Sequence, residues 1–387
     1  MGRRRITLAD VAKATGVSTT TVSLVLAGRG AELRISDEVQ QRVRSTAQEL
    51  GYRRNTLSVG LRTGHTQTIG FVSDTVASSL LAGNMIKGAM EAAHRRGFML
   101  FCGESGGDPD VERALVEAMH DRRVDGIIFA AMYTRKVAVP EGLDHGPAVL
   151  LNALPAAYSP VPAVLPDEVE AGRAAARVLV EAGHREGVHL VGAGPGLDDV
   201  PPNSIAARER LIGMRQVFEG AGVSVVSAHQ CPKWMPENGY ETTRRILRHH
   251  RPKALVCLND RLAFGAYQAL AEVGLSVPDD VSVVSFDDHP IASWMRPRLT
   301  TVALPHHELG VRAVEVLFAA AERRRRARGA PAVHRVPMSV KPGESVKPVS
   351  APSRRLDLPA VVHAHKTKRQ SGLVQGTERR NPAPESF

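Results

Sequence analysis

Thr7-Leu-Ala-Asp-Val-Ala-Lys-Ala-Thr-Gly-Val-Ser-Thr-Thr-Thr-Val-Ser-Leu-Val-Leu-Ala-Gly28 is the stretch from which the rest of the chain can be read. Leu8, Val11, Ala12 and Thr15 recur at helical spacing, Gly16 interrupts them, and Val17 and Ser18 lead into a second series at Val22, Val25 and Leu26. Neither series is long enough to hold a helix alone in water, so the pattern predicts two helices packed on each other. Ser36, followed by Glu38, Val39, Val43, Ala47 and Leu50, predicts a third helix with Ser36 as N-cap and Gly51 as stop. Three short helices around one small core make a helix-turn-helix unit, assigned to residues 1–53. Its second helix opens on polar side chains: Thr19, Thr20 and Ser23 can donate to or accept from base edges in a major groove, and the threonine methyls can lie against thymine methyls. Ser18 and the unpaired N–H groups of that helix end suit a phosphate. An ordinary helical hairpin carries the same pattern, so the motif alone leaves both readings open.

Charge adds weight to the first. Residues 1–64 hold 11 Lys/Arg against 5 Asp/Glu and residues 350–387 hold 7 against 3, while the stretch between holds 32 of each; the whole net charge of +10 is therefore terminal. Clustered cations gain affinity for nucleic acid by releasing its condensed counterions, although a solvated basic arm has the same composition.

The middle of the chain has a different grammar. Strand and helix patterns alternate: strands at Ile69–Ser73, Phe98–Cys102, Val124–Ala130 and Ala148–Asn152 with helices up to Arg96 and over Pro109–His120, then helices from Glu168, Ala206 and Gly239 interleaved with strands at Val188, Val223, Ala254 and Val281. This predicts an α/β architecture of two similar lobes with parallel sheets flanked by helices. The chain, 387 residues and 43% hydrophobic, is long enough for them. Between them and the headpiece, residues 54–66 read as a linker with a short helix over Thr56–Leu61. Residues 350–387 mix Pro, Ser, Gly, Arg and Lys without periodicity and are expected to be disordered. Cys102, Cys231 and Cys257 are too few and scattered for a disulfide framework or a CxxC metal site. No apolar run approaches the roughly 20 residues of a membrane span. A cytoplasmic protein without membrane contact is expected.

These segments together resemble the LacI/GalR-type bacterial transcription regulators. The resemblance runs from about Ile6 to Val346 through TLADVAKATGVSTTTVS, ELGYRRNTLSVGLRTGHTQTIGFV, RRVDGIIF, EAGHREGVHLVGAGP, AARERLIG, NDRLAFGAYQALAEVGLSVPDDVSVVSFDD and RPRLTTVALP, in the family's order. It implies a periplasmic-binding-protein-like core, with residues 67–167 and 299–327 in one lobe and 168–298 and 328–349 in the other. The linker is then similar to a hinge helix that forms on operator DNA. Leu61 matches the leucine that wedges into the minor groove. Thr19, Thr20 and Leu24 match base-reading positions, and Thr7, Ser18, Thr21, Ser23 and Asn55 complete the DNA-facing set. Leu24 departs from the Arg or His often found there, which replaces a guanine-reading fork by apolar contact. Gly60 departs too, and glycine within a helix costs about 1 kcal/mol relative to alanine. The segment from Gly28 to Ser36 is slightly longer than in the best-known members.

For the effector cleft, the resemblance assigns Arg210 to ligand hydroxyls or carboxylate, Asp287 to accepting ligand hydrogen bonds, Asn259 to the polar wall and Trp234 to stacking, with Asp167 and Leu81 from the first lobe. An aromatic face with charged groups for hydroxyls suits a sugar. Taken singly, Arg210 also reads as a surface helix charge, Asp287 as a turn residue, Asn259 as a helix cap and Trp234 as core.

Enzyme signals are thin. Gly103-Glu-Ser-Gly-Gly107 fits G-x-S-x-G, but the next helix begins only near Pro109, and spacing names no histidine and acid to partner Ser105. Gly192, Gly194 and Gly196 lack dinucleotide-fingerprint spacing and read as a turn or cleft lining. The pairs His249/His250, His306/His307 and His363/His365 have no supporting ligands and read as solvated, so no metal or cofactor is expected. Arg323 to Arg326 read as the cationic end of a helix. The expectation is a homodimeric, sequence-specific DNA-binding repressor controlled by a small effector, with a sugar-binding module lacking regulatory DNA contact as the alternative.

Overall fold

Thr7 accepts the Asp10 N–H while the Asp10 carboxylate accepts the Thr7 N–H, and this reciprocal cap starts α1 (Leu8–Thr15). Gly16, at φ +70°, closes it in the left-handed conformation that a side chain would strain. The Ser18 Oγ then accepts the Thr21 N–H to start α2 (Thr19–Leu26), and the Ser36 Oγ accepts the Val39 N–H to start α3 (Asp37–Glu49). Val11, Ala12, Val22, Val25, Val43 and Ala47 are buried together where the three helices meet. The computed structural model describes residues 6–52, 65–79, 82–324 and 332–349. Asn55, Leu61, Leu81 and His363/His365, with residue 53 of the expected headpiece, residues 54–64 of the expected hinge and the tail 350–387, lie outside the described residues.

Two six-stranded sheets follow. The first has the order β11-β5-β4-β3-β1-β2, built from β1 (Thr68–Ser73), β2 (Met99–Glu104), β3 (Ile127–Val137), β4 (Ala148–Pro155), β5 (Ala163–Pro166) and β11 (Val333–Val336). Every pairing in it is parallel. The second has the order β12-β10-β9-β8-β6-β7, from β6 (Val188–Gly192), β7 (Val225–Gln230), β8 (Ala254–Cys257), β9 (Ser282–Asp287), β10 (Thr300–Ala303) and β12 (Ser339–Lys341), with only β12 antiparallel. Helices α4 (Gly83–His94), α5 (Pro109–Asp121) and α11 (His306–Arg324) serve the first sheet; α6 (Glu168–Glu181), α7 (Ile205–Gly220), α8 (Pro236–His249), α9 (Asp260–Glu272) and the short α10 (Pro290–Trp294) serve the second. Phe71, Ile69, Ile128 and Leu151 centre one core, and Leu190, Val256, Val284 and Phe286 the other.

The chain passes between lobes three times, after Pro166, Ala303 and Val336. This corrects the expected boundaries at 298/299 and 327/328: Thr300–Ala303 pairs with β9 of the second sheet, and Val333–Val336 with β5 of the first. A four-residue strand has too little periodicity to reveal its lobe; only its partner does. All three passages leave from carboxyl ends of strands, so those ends of the two sheets border the region between the lobes, where ligands of parallel α/β folds bind.

The tightest helix pairs are set by reciprocal glycines. A Cβ on Gly172 (α6) would meet the Arg210 carbonyl and one on Gly213 (α7) the Val169 carbonyl, each well inside van der Waals contact. Gly239 and Gly265 do the same for α8 and α9, and Gly88 and Gly310 for α4 and α11. Because the obstacle is helix backbone, Gly239→Ala should destabilise the protein by about 1–3 kcal/mol, read as a lower urea midpoint at unchanged slope.

Several histidines are buried, which corrects the solvated reading of His306, only 6% exposed. The His189 imidazole, bonded to the Ser227 hydroxyl at 2.8 Å, is held down to about 4 by burial and by the neighbouring His250 and His229 rings. The folded state therefore resists a proton that the unfolded chain accepts below about pH 6.5, so this residue's contribution to stability falls between pH 6.5 and 4. Thermal midpoints measured across that window should fall less steeply for His189→Gln than for the parent.

Among the described residues, no helix is long and apolar enough to cross a membrane.

Candidate functional site

The headpiece presents one end of α2 to solvent. Ser18, Thr19 and Thr20 are exposed, Thr21, Ser23 and Leu24 half-buried, while Val22 and Val25 hold the helix to its core. Ser18 and Thr21 are spent partly on each other: their hydroxyls lie 2.9 Å apart, in addition to the cap at 3.0 Å. Thr7 is likewise committed to the cap of α1. This leaves Thr19 and Thr20 as the outward pair, with the Leu24 side chain one turn on.

In the core, four of the expected effector residues converge at the carboxyl end of the second sheet. Arg210 on α7 is only 2% exposed, so the surface-charge reading is wrong. Its Nε donates to Glu168 Oε2 at 2.7 Å, Nη2 to Glu168 Oε1 at 3.2 Å and to Asp287 Oδ1 at 3.1 Å, and Nη1 to the Leu258 carbonyl at 2.6 Å. The guanidinium stacks 4.6 Å from the Phe286 ring centre and 5.9 Å from that of Trp234. The indole donates to the Gly192 carbonyl at 3.0 Å, which fixes the ring's plane. Asn259 is fully buried; its side chain caps α9 through the Leu262 N–H and donates to the Trp234 carbonyl, so it supports the aromatic rather than facing open space. Asp167 stands apart from them, capping α6 through the Glu170 N–H.

Glu168, missed in the sequence, is the centre of this network. It is fully buried, and burial pushes its carboxyl up against the pull of Arg210. The Thr134 hydroxyl of the first lobe, which donates to Asn152 Oδ1 at 2.6 Å, lies 3.5 Å from Glu168 Oε1. Asp74, at the end of β1, accepts the Met132 N–H and an Arg135 Nη2 bond at 2.9 Å, an arrangement equally invisible in the sequence because the partners are far apart in the chain. The signal that was present is Arg210 itself: it falls among Ala206, Ala207, Leu211 and Met214 on the apolar stripe of its helix, where a charge needs a buried partner.

Beside Asp287 a cavity of about 460 Å³ opens between Asn84 and His306 of the first lobe and Leu304 and Lys341 of the second. That volume suits a small molecule. Asp287 is held at φ +105°, a conformation uncommon outside glycine, which aims its carboxylate from the strand end toward Arg210.

Other motifs resolve into structure. Ser105 Oγ is bonded to the Ser73 carbonyl and Glu112 and accepts the Gly107 N–H, and its helix starts four residues later at Pro109. Gly194 and Gly196 turn over Asp199, both donating N–H bonds to it. No group of three or more His, Cys, Asp or Glu residues that could hold a metal occurs among the described residues.

Residues 7–55 match the profile of bacterial regulatory proteins of the lacI family, and residues 176–346 that of a periplasmic binding protein-like domain. The HTH-type transcriptional repressor PurR of Klebsiella pneumoniae (strain 342) is 32% identical over 321 residues, covering 81% of this chain and 89% of the relative. The HTH-type transcriptional regulator DegA of Bacillus subtilis (strain 168) is 32% identical over 310 residues, covering 79% and 88%. Among solved structures, the lac repressor dimer bound to operator and the anti-inducer ONPF shares the fold at TM-score 0.71 and 24% identity, covering 89% of this chain and all of that one. The transcriptional regulator CelR in complex with cellobiose has TM-score 0.59 and 25% identity, covering 88% and 100%.

Proposed function

The chain belongs to the LacI family of DNA-binding transcriptional regulators, and from that premise we propose that it is a cytoplasmic, homodimeric repressor whose operator affinity is set by a small neutral, hydroxyl-rich effector, a sugar. The reading of DNA falls to Thr19, Thr20 and Leu24 of α2, with Thr7, Ser18, Thr21 and Ser23 holding that helix end and reaching phosphate. A dimer follows from the reading geometry: one headpiece spans a half-site, and a near-palindrome asks for two. Met90, Met99 and Phe101, exposed on α4 and β2, offer an apolar face of the kind a second copy would cover.

The observation that carries the effector class is the neutralisation of Arg210. With Glu168 and Asp287 both bonded to it, Arg210 brings no uncompensated positive charge to the site, and the partly exposed Asp287 is left as the carboxylate acceptor. Such a wall favours hydroxyl donors over an anionic ligand. Trp234 beside it supplies an aromatic surface for C–H faces, and CelR, whose solved complex holds cellobiose, is a relative in point. Since a ligand shifts DNA affinity only by preferring one lobe arrangement, the sugar must bind one closure state better than the other.

Calorimetric titration of the full chain with a panel of mono- and disaccharides, nucleobases and organic anions tests this. A sugar should bind with heat that is lost in Trp234→Ala and weakened at least tenfold in Asp287→Ala. Binding of an anion or nucleobase, with every sugar silent, would overturn the carbohydrate assignment and leave the DNA reading standing.

A further inference from the structure

Helix α7 is tied to the first lobe at two places, both outside the Arg210 network. At its start, β3 runs on beyond a register shift between Ala130 and Arg135 so that Arg135–Val137 extends along β4. The tip of that extension crosses to the second lobe: the Lys136 N–H donates to the Asn203 carbonyl at 3.3 Å, and Arg135 forms an antiparallel bridge with Ser204, the N-cap of α7. One and a half turns further along, Glu209 receives both terminal nitrogens of Arg335 from β11, with Nη2 to Oε1 at 2.7 Å. Arg335 also donates to the carbonyl of Pro166 at 3.2 Å, where the chain first passes between the lobes. The next residue on each side closes the same corner, with the Asp167 N–H donating to the Val336 carbonyl at 2.9 Å. Glu209 immediately precedes Arg210.

From this geometry we infer that the Glu209–Arg335 pair is a latch that sets how far the two lobes close. The pair joins elements from different lobes, is bidentate, and is partly shielded, with side-chain exposures of 14% and 33%. It therefore stabilises the lobe arrangement of this structure and contributes nothing to either lobe alone. The β3 extension is the second point of contact on the same helix and lies three strands from β11 in the first sheet. When the latch opens, α7 withdraws from that extension as a body, because the helix moves as a rigid rod. Glu209 and Arg335 are positioning residues: they touch the effector site only through α7 and the lobe passage. On the proposed function above, where closure sets DNA affinity, the latch also sets the basal strength of repression.

The test uses the full-length protein without effector. Hydrogen exchange at the Lys136 amide reads the distant strap, and fluorescence anisotropy on a DNA fragment from upstream of the protein's own gene reads the coupling. Arg335→Met and Glu209→Gln should each raise exchange at Lys136 about tenfold, while the exchange-swapped pair Glu209→Arg with Arg335→Glu restores it. Exchange at buried amides of β1 and β8 should stay unchanged, which separates opening from loss of fold. Unchanged exchange at Lys136 in both single variants, or a swapped pair that stays as open as either, overturns the latch. Faster exchange with unaltered DNA affinity supports the latch and instead removes the link between closure and operator binding.

Discussion

Replacing Arg210 by leucine will destabilise the protein by about 3–5 kcal/mol and abolish its response to any effector. The guanidinium is the cation for a carboxylate that is itself fully buried, and its removal strands Glu168, the Leu258 carbonyl and one oxygen of Asp287 together. Burial already pushes the Glu168 carboxyl up while Arg210 is present; without it Glu168 will take a proton, so the variant will regain part of its loss as the pH is lowered through the range where that carboxyl titrates. Urea unfolding at pH 7 and pH 5 reads both effects. The companion Glu168→Gln with Arg210→Met should recover much of the stability, because it removes the pair rather than half of it, yet remain unresponsive to effector. That double variant separates the structural task of the pair from its task in the cleft. If it responds normally, Arg210 is only a structural cation.

The second large effect concerns DNA. Thr19→Ala and Thr20→Ala should each weaken binding to the preferred fragment about 10- to 100-fold, since a lost base-edge contact is worth about 1–3 kcal/mol. Neither change removes a charge, so the slope of log affinity against log salt should stay where it was. Lys13→Ala, at an exposed cation of α1, should do the opposite, weakening all fragments alike and lowering that slope by about 1. Filter binding or anisotropy over a salt series distinguishes the two patterns. Equal losses on preferred and unrelated DNA for the threonine variants would mean that α2 does not read bases.

The headpiece was legible because each boundary is marked by a short-range device: Ser18 and Ser36 cap at the N–H three residues on, and Gly16 stops α1 with its own φ. Helix α6 starts at Glu168, where its pattern places it, for the same reason, since Asp167 caps at the Glu170 N–H. What escaped were features decided by partners far away. Strands β5, β10, β11 and β12 have three or four residues each, and their lobe is chosen by neighbours up to 170 residues distant. Glu168 reads as the acidic start of a helix, a role that any exposed Glu fills; only the arrival of Arg210, 42 residues later, makes it a buried ion-pair partner. Arg210 and Asp287, each assigned to the effector by resemblance, are bonded to each other, a pairing across 77 residues that no local pattern announces, whereas Asn259 does what its position before a helix suggests, which is to cap it. Asp74 and Arg135 carry no local signature, since Arg135 sits in a strand extension created by the β3 register shift.

On the proposed function, the headpiece reads DNA and the two-lobed core controls that reading. Fluorescence anisotropy on fragments from upstream of the protein's own gene, over a salt series, with a deletion of residues 1–65 as control and sugars added in turn, tests it most directly. The predicted result is tight binding to one fragment, abolished by the deletion and shifted by one sugar. Weak binding that is equal on all fragments, survives the deletion and ignores every sugar would contradict it, and would leave the basic ends of the chain as no more than a polyanion-binding surface.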